Sequence, residues 1–279
     1  MARHDEGFFT GKDNTRLFWT LDLPDTGTPR AHVAVVHGYG DHIGRYRPVI
    51  DALVRDGFAV HGFDYRGHGR ADGRRAYANK WTDFLEDLDG FWQRVRRAAG
   101  NDKIFLLAHS HGGLMAVHAL AKGMEGLSGA ILSAPYLKLA ITPPAVKVFA
   151  ARMVGSVVPW LSVSSGLTPD MLTTDPEQQK AVGEDPLYVP FATPRWFVES
   201  TLAQAEALLL APKIQVPLFV LCGQEDGVAL PAAARSFFEA AVTADKKFKE
   251  YPGMRHEPLN ERDRSTVFQD ISGWISAHL

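Results

Sequence analysis

The stretch Ile104-Phe105-Leu106-Leu107-Ala108-His109-Ser110-His111-Gly112-Gly113 decides how this chain of 279 residues is read. Its uncharged apolar beginning reads as a buried strand. Small residues around a serine then lead into Leu114, Val117 and Ala121, which share one face of a helix. A serine on so sharp a strand-to-helix turn holds strained backbone angles, so the residues two before and two after it must be tiny. Ala108 and Gly112 meet that demand, giving A-x-S-x-G where G-x-S-x-G is usual; alanine adds only one methyl. The pattern predicts a nucleophile elbow with Ser110 at its tip. The competing reading is a serine that caps a helix N-terminus.

Outward from the elbow, short apolar runs alternate with segments of helical period, the pattern of a mostly parallel sheet flanked by helices. Buried strands are expected at His32–Val36, Phe58–Phe63, Ile104–Ala108, Gly129–Leu132 and Leu218–Leu221, with Phe248–Tyr251 as a further strand. Phe8–Thr10 and Leu17–Leu21 flank Gly11-Lys12-Asp13-Asn14 as a hairpin at the sheet edge. About eighty residues separate the strand ending near Ser133 from the one beginning near Pro217, too many for a structureless loop in a compact domain. The stretch carries Pro143-Pro144, Pro159, Pro169, Pro176, Pro186, Pro190 and Pro194 among apolar clusters, and reads as short helices. The expected division is a core domain of residues 1–135 and 212–279 with a helical cap or lid at 136–211. A second packing layer without gating is the alternative.

The composition is that of an ordinary soluble globular protein: 46% hydrophobic and 22% charged, with 30 Lys plus Arg against 32 Asp plus Glu. A net charge of -2 with no basic block leaves no electrostatic footprint for nucleic acid. The single cysteine, Cys222, forms no internal disulfide and excludes a Cys-based zinc site. MARHDEGFF lacks the apolar stretch of a secretory signal, and no apolar run reaches about 18 residues, so a cytoplasmic location is the default expectation.

A serine hydroxyl is a poor nucleophile near neutral pH; it needs a general base, and the base needs an orienting carboxylate. Behind an elbow of this kind the order along the chain is serine, acid, histidine. Gly223-Gln224-Glu225-Asp226 places Asp226 at the carboxyl end of the Leu218–Leu221 strand, with Glu225 as the neighbour that could replace it. His256 is the only histidine between that acid and the terminal helix; His278 reads as surface. An oxyanion hole needs two backbone donors. The N–H of His111 directly follows the nucleophile, and the loop His37-Gly38-Tyr39-Gly40-Asp41-His42 offers Tyr39 N–H, its glycines permitting close approach. His109-Ser110-His111 looks like an H-x-H pair, but the chain turns at Ser110 and no H-E-x-x-H is present, so no metal is expected. His37, His68 and His118 read as satisfied core or loop histidines. No G-x-G-x-x-G or phosphate loop follows a strand, and no cofactor is implied.

With these residues in place, the chain from about Gly7 to Leu279 resembles the α/β-hydrolase superfamily, and within it the monoacylglycerol lipase and lysophospholipase group. His37-Gly38-Tyr39-Gly40-Asp41-His42-Ile43-Gly44-Arg45-Tyr46 resembles that group's H-G-x-G-E-H-x-G-R-Y, Asp64–Ala71 resembles D-x-R-G-H-G-x-S, and Ala108–Gly113 resembles G-H-S-M-G-G. Asp185-Pro186-Leu187 is similar to its D-P-L, and the insertion has the position of its cap. The resemblance implies Ser110, Asp226 and His256 as catalytic triad and the Tyr39 and His111 amides as oxyanion hole. It places Asp41, Arg45 and His109 near the alcohol portion of an ester. A loop-bracing ion pair is the competing role for Arg45. The departures are Asp41 for Glu, His111 for Met, Ala71 for Ser and Ala108 for Gly.

The expected chemistry is hydrolysis of a small-molecule lipid ester through an acyl-enzyme on Ser110. A serine aminopeptidase or a general carboxylesterase is the runner-up, because one scaffold serves several substrates. Epoxide hydrolases and haloalkane dehalogenases would carry Asp at position 110, and a non-catalytic receptor would not need the three groups. Val146–Val163 is apolar apart from Lys147 and Arg152, and fits either a lipid surface or a core-packed cap helix. Oligomeric state is not read from the sequence.

Overall fold

β-branched and aromatic runs too short for helices become strands, and the amphipathic runs between them become helices. The computed structural model describes residues 3–25, 27–141 and 145–279, without the side chains of residues 145, 147, 148, 150 and 152. The chain runs β1 (Arg3–Thr10), β2 (Arg16–Leu23), β3 (His32–Val36), α1 (Arg47–Arg55), β4 (Ala59–Asp64), α2 (Trp81–Ala99), β5 (Ile104–His109), α3 (His111–Lys122) and β6 (Leu127–Ser133). After β6 come α4 (Ala145–Val157), β7 (Val163–Ser164), α5 (Pro169–Leu172), α6 (Pro176–Glu184), β8 (Phe191–Ala192) and α7 (Pro194–Leu210). The fold closes with β9 (Leu218–Gly223), α8 (Pro231–Ala240), β10 (Lys246–Tyr251) and α9 (Arg264–Ala277).

Eight strands form one sheet in the order β1-β2-β4-β3-β5-β6-β9-β10. β1 and β2 are the expected edge hairpin, β2 runs antiparallel to β4, and the remaining neighbours are parallel. Side chains on alternate strand positions leave by opposite faces, and each face has its own helices. Ala34, Val36, Leu106, Ala108, Leu132 and Val220 pack with Phe84, Leu88, Phe91, Leu114, Val117 and Phe237 of α2, α3 and α8. On the other face Val33, Val35, Phe105, Leu107, Ile131 and Phe219 meet Val49, Leu53, Val267, Ile271 and Trp274 of α1 and α9.

β1 and β10 run longer than expected: Arg3–Glu6 and Lys246–Lys247 are polar, so no apolar pattern marks them, yet they continue the ladder along β2 and β9 at the sheet edges. Between β6 and β9 the described residues of the insertion form α4, α5, α6 and α7 with a two-residue strand pair, β7 with β8. Pro169, Pro176 and Pro194 each open a helix, where a missing N–H costs nothing, which explains why the proline-rich stretch breaks into short pieces. Pro143-Pro144 lie outside the described residues.

Candidate active site

β5 delivers Ser110 and α3 carries the chain away. Between them the serine adopts φ 52° and ψ -116°, a conformation that side chains rarely hold. A Cβ on Gly112 would come within 2.5 Å of the His37 carbonyl and 2.7 Å of the Val36 carbonyl, so only glycine lets α3 begin against β3. Ser110 N–H donates to the Ser133 carbonyl at 2.9 Å, tying the turn to the end of β6.

The loops after β9 and β10 bring the partners. His256 Nε2 lies 2.8 Å from Ser110 Oγ, and His256 Nδ1 lies 2.8 Å from Asp226 Oδ2. The second Asp226 oxygen accepts from Val228 and Ala229 N–H at 2.8 and 2.9 Å, which fixes the carboxylate plane. Asp226 can only accept at His256 Nδ1, so that nitrogen carries the proton and Nε2 faces the hydroxyl as an acceptor. Burial works to lower the His256 pKa, but the Asp226 charge and hydrogen bond outweigh it and the group titrates above 6.5. Glu225, the alternative acid, is exposed. Gly223 lets the two loops close on each other, because a Cβ there would sit 2.1 Å from the Arg255 carbonyl.

The loop after β3 passes beside the serine: a Cβ on Gly38 would stand 3.3 Å from that of Ser110. Among the described residues no hydrogen bond uses the N–H of Tyr39 or of His111. The loop is held instead by its other groups. Gly38 O accepts from Tyr65 Oη at 2.6 Å and from His37 Nδ1 at 2.7 Å, and Gly38 N–H donates to Tyr46 Oη at 3.1 Å. The insertion grips it too: Val189 N–H donates to Gly40 O at 2.7 Å, and His42 Nε2 pairs with Asp185 at 2.7 Å.

Asp41, Arg45 and His109 do not share one situation. Asp41 and His109 line the cavity above Ser110; Arg45 does not. Its guanidinium forks onto Glu257 at 2.7 and 3.0 Å and reaches Asp41 at 3.1 Å, so it is the brace between the loop after β3 and the residue after His256. All three groups are buried. Burial would raise the Glu257 carboxyl, yet Arg45 holds it down to about 2. For Asp41 burial prevails over Arg45 and the pKa rises. His109 is pushed down to about 3 by burial and the neighbouring His256, and its Nδ1 lies 3.2 Å from Ser133 Oγ.

The cavity measures about 710 Å³. Leu139, Ile141, Val154, Leu161, Val163 and Met171 form much of its wall, with Asp41, Tyr188 and Glu257 as polar elements. Ser110, His111 and His256 lie on the floor, so an apolar chamber opens directly onto the serine hydroxyl.

Sequence reasoning did not single out Glu257, Tyr65 or Trp196. Glu257 reaches Arg45 across 212 positions, a pairing that no local pattern encodes. Two core histidines are less satisfied than expected: among the described residues His37 Nε2 and His68 Nε2 have no hydrogen-bond partner, whereas His118 Nε2 meets the Ala203 carbonyl at 3.0 Å. His278 is not merely solvated, bonding to Trp274 O and Asp245 at 2.7 and 3.0 Å.

Known proteins resemble this arrangement over its whole length. A family model described as "Serine aminopeptidase, S33" matches residues 27–263. The chain is 30% identical to a monoacylglycerol lipase of Mycolicibacterium smegmatis over 283 residues, covering 100% of this chain and 99% of that protein. It is 29% identical to phospholipase YtpA of Bacillus subtilis, covering 90% and 97%. Among solved structures, Paleococcus ferrophilus monoacylglycerol lipase superposes with a TM-score of 0.83 at 27% identity, covering 100% of both chains.

Proposed function

The chain belongs to the serine aminopeptidase S33 family of α/β-hydrolases, and from that premise we propose that it hydrolyses lipid monoesters of the monoacylglycerol type through an acyl-enzyme on Ser110. The observation that carries this reading is the unbroken line Asp226, His256, Ser110 at the floor of an apolar chamber. Ser110 Oγ attacks the ester carbonyl as His256 Nε2 takes its proton, and Tyr39 and His111 N–H receive the developing oxyanion. His256 returns the proton to the departing alcohol, then activates water to release the fatty acid. Asp226 keeps the imidazole in the required tautomer and stabilises the imidazolium. The apolar wall suits an acyl chain, whose burial contributes about 0.8 kcal/mol per methylene. Asp41 and His109 stand at the polar side where the alcohol would lie.

In this reading residues 136–211 act as the cap that closes the chamber. α4 carries Val146, Phe149, Met153 and Val157 at successive turns, all exposed, with Val157 at 75%. Ile141, Val154, Leu161 and Val163 are exposed as well and also line the chamber, so the apolar surface continues into its mouth. That continuity supports a cap resting on a lipid surface and drawing substrate from it. The side chains of Lys147 and Arg152 lie outside the described residues.

Hydrolysis rates across monoacylglycerols, lysophospholipids, triacylglycerols and aminoacyl amides test the assignment, with Ser110→Ala as control. Fastest turnover of long-chain monoacylglycerols is expected. A strong preference for amides overturns the lipid assignment, and a Ser110→Ala protein that keeps its turnover overturns the mechanism.

A further inference from the structure

The imidazole of His111 is fully buried among Trp81, Phe84, Tyr39, Tyr65 and Trp196. Buried polar groups are generally hydrogen-bonded, and both nitrogens of this ring have partners. Trp196 Nε1, which can only donate, reaches His111 Nε2 at 3.0 Å, so that nitrogen is the acceptor and the proton sits on Nδ1. His111 Nδ1 lies 3.3 Å from Tyr65 Oη and donates to it, and Tyr65 in turn donates to the Gly38 carbonyl at 2.6 Å. The chain is fixed at both ends: the Gly38 carbonyl can only accept from Tyr65, and Trp196 of α7 in the insertion makes His111 the donor to Tyr65.

The Gly38 carbonyl belongs to the same planar peptide as the Tyr39 N–H, and in a trans peptide the two point in opposite directions. Holding the carbonyl toward Tyr65 and His37 aims the amide the other way. The same helix end secures Tyr39 through its ring: Trp196 stacks on it with centroids 3.6 Å apart, and Thr193 Oγ1 and Tyr39 Oη both donate to the Ala76 carbonyl at 2.9 Å. We propose that the His111 imidazole and the Trp196 indole N–H are positioning residues, which through Tyr65 orient the Gly38–Tyr39 peptide, so that the oxyanion hole is complete only while α7 is seated. The proposal rests on the serine-hydrolase reading above, in which Tyr39 N–H stabilises the oxyanion.

Trp196→Phe deletes the N–H donor and keeps the ring over Tyr39; Tyr65→Phe and His111→Met break the next two links without removing either backbone amide. With a short water-soluble p-nitrophenyl ester, each variant is expected to lose about tenfold in kcat with KM within about twofold. That is smaller than the roughly 100- to 1,000-fold cost of deleting an oxyanion donor outright. Affinity for an alkyl boronic acid, whose tetrahedral adduct needs the same donors, is expected to weaken by a similar factor. The double variant Trp196→Phe/Tyr65→Phe is expected to lose little more than either single one, because both cut one chain. Unchanged kcat in folded Trp196→Phe and Tyr65→Phe proteins, a loss confined to KM, or fully additive losses in the double variant each overturn the proposal. Ser110→Ala run in parallel separates the two failures: if it is inactive while Trp196→Phe is unimpaired, the relay falls and the hydrolase reading stands.

Discussion

His256 sits where burial and an anion pull its proton affinity in opposite directions, and the anion prevails. A base must be neutral to act, so kcat/KM is expected to fall as pH drops through a value above 6.5. Asp226→Asn removes the charge that raises the imidazole. Residual activity about 10⁴-fold lower is expected, with its acid limb moved to lower pH; a limb that stays in place in a pH–rate profile would show that Asp226 does not set this titration. Arg45 offers a second case. Replacing it with Met leaves the Asp41 and Glu257 carboxyls buried beside each other without their cation, a change of the kind that costs about 3–5 kcal/mol. A melting temperature lower by roughly 10 °C is expected from calorimetry, and an unchanged one contradicts the brace. At this scale the sequence was partly legible. Ser110, Asp226 and His256 announce themselves because chain order and turn residues constrain them. The partners Glu257, Tyr65 and Trp196 do not, because what they bond is decided only when distant elements meet.

At the scale of elements, the elbow is the most constrained junction. Gly112→Ala would press a methyl against the His37 and Val36 carbonyls, and α3 must shift to relieve it. Soluble ester turnover at least about 100-fold lower is expected, comparable with losing an oxyanion donor; full activity in the purified variant would refute the fit. The elements themselves were readable where a buried strand must be apolar, as in β3, β5 and β9. They were not readable at the polar ends of β1 and β10, where no apolar pattern marks the strand. α4 poses the opposite problem, since its apolar residues suited either a core or a lipid surface. Val146, Phe149, Met153 and Val157 prove exposed. Changing Phe149 and Val157 to Ser is expected to reduce co-sedimentation with liposomes severalfold while leaving hydrolysis of a soluble ester within about twofold. Equal sedimentation of both proteins would remove the lipid-surface role.

For the molecule as a whole, the buried histidines are expected to weigh most in acid tolerance. Burial holds His61 and His109 down to about 3, His68 down to about 4, and His37 and His111 well below 6.5. Each is neutral in the fold but takes a proton in the unfolded chain below 6.5. Their contribution is therefore intact above that value and is lost as pH falls beneath it, at up to about 1.4 kcal/mol per group per pH unit. Burial lowers His32 and His118 too, and the raised His4, Asp41, Asp64, Asp87 and His256 act in the opposite sense but are fewer. Thermal melts are expected to drop steeply between pH 7 and about 5; a flat profile would mean that these imidazoles find protons without unfolding. The strand order carries one more consequence. Everything before the insertion builds the contiguous slab β1-β2-β4-β3-β5-β6, and everything after it adds β9 and β10 along one side. Ser110 belongs to the slab, while Asp226 and His256 ride on the added pair. A polypeptide divided within the insertion would thus separate attacking group from proton acceptor, and ester turnover would report, molecule by molecule, the rejoining of two fragments along the seam between β6 and β9.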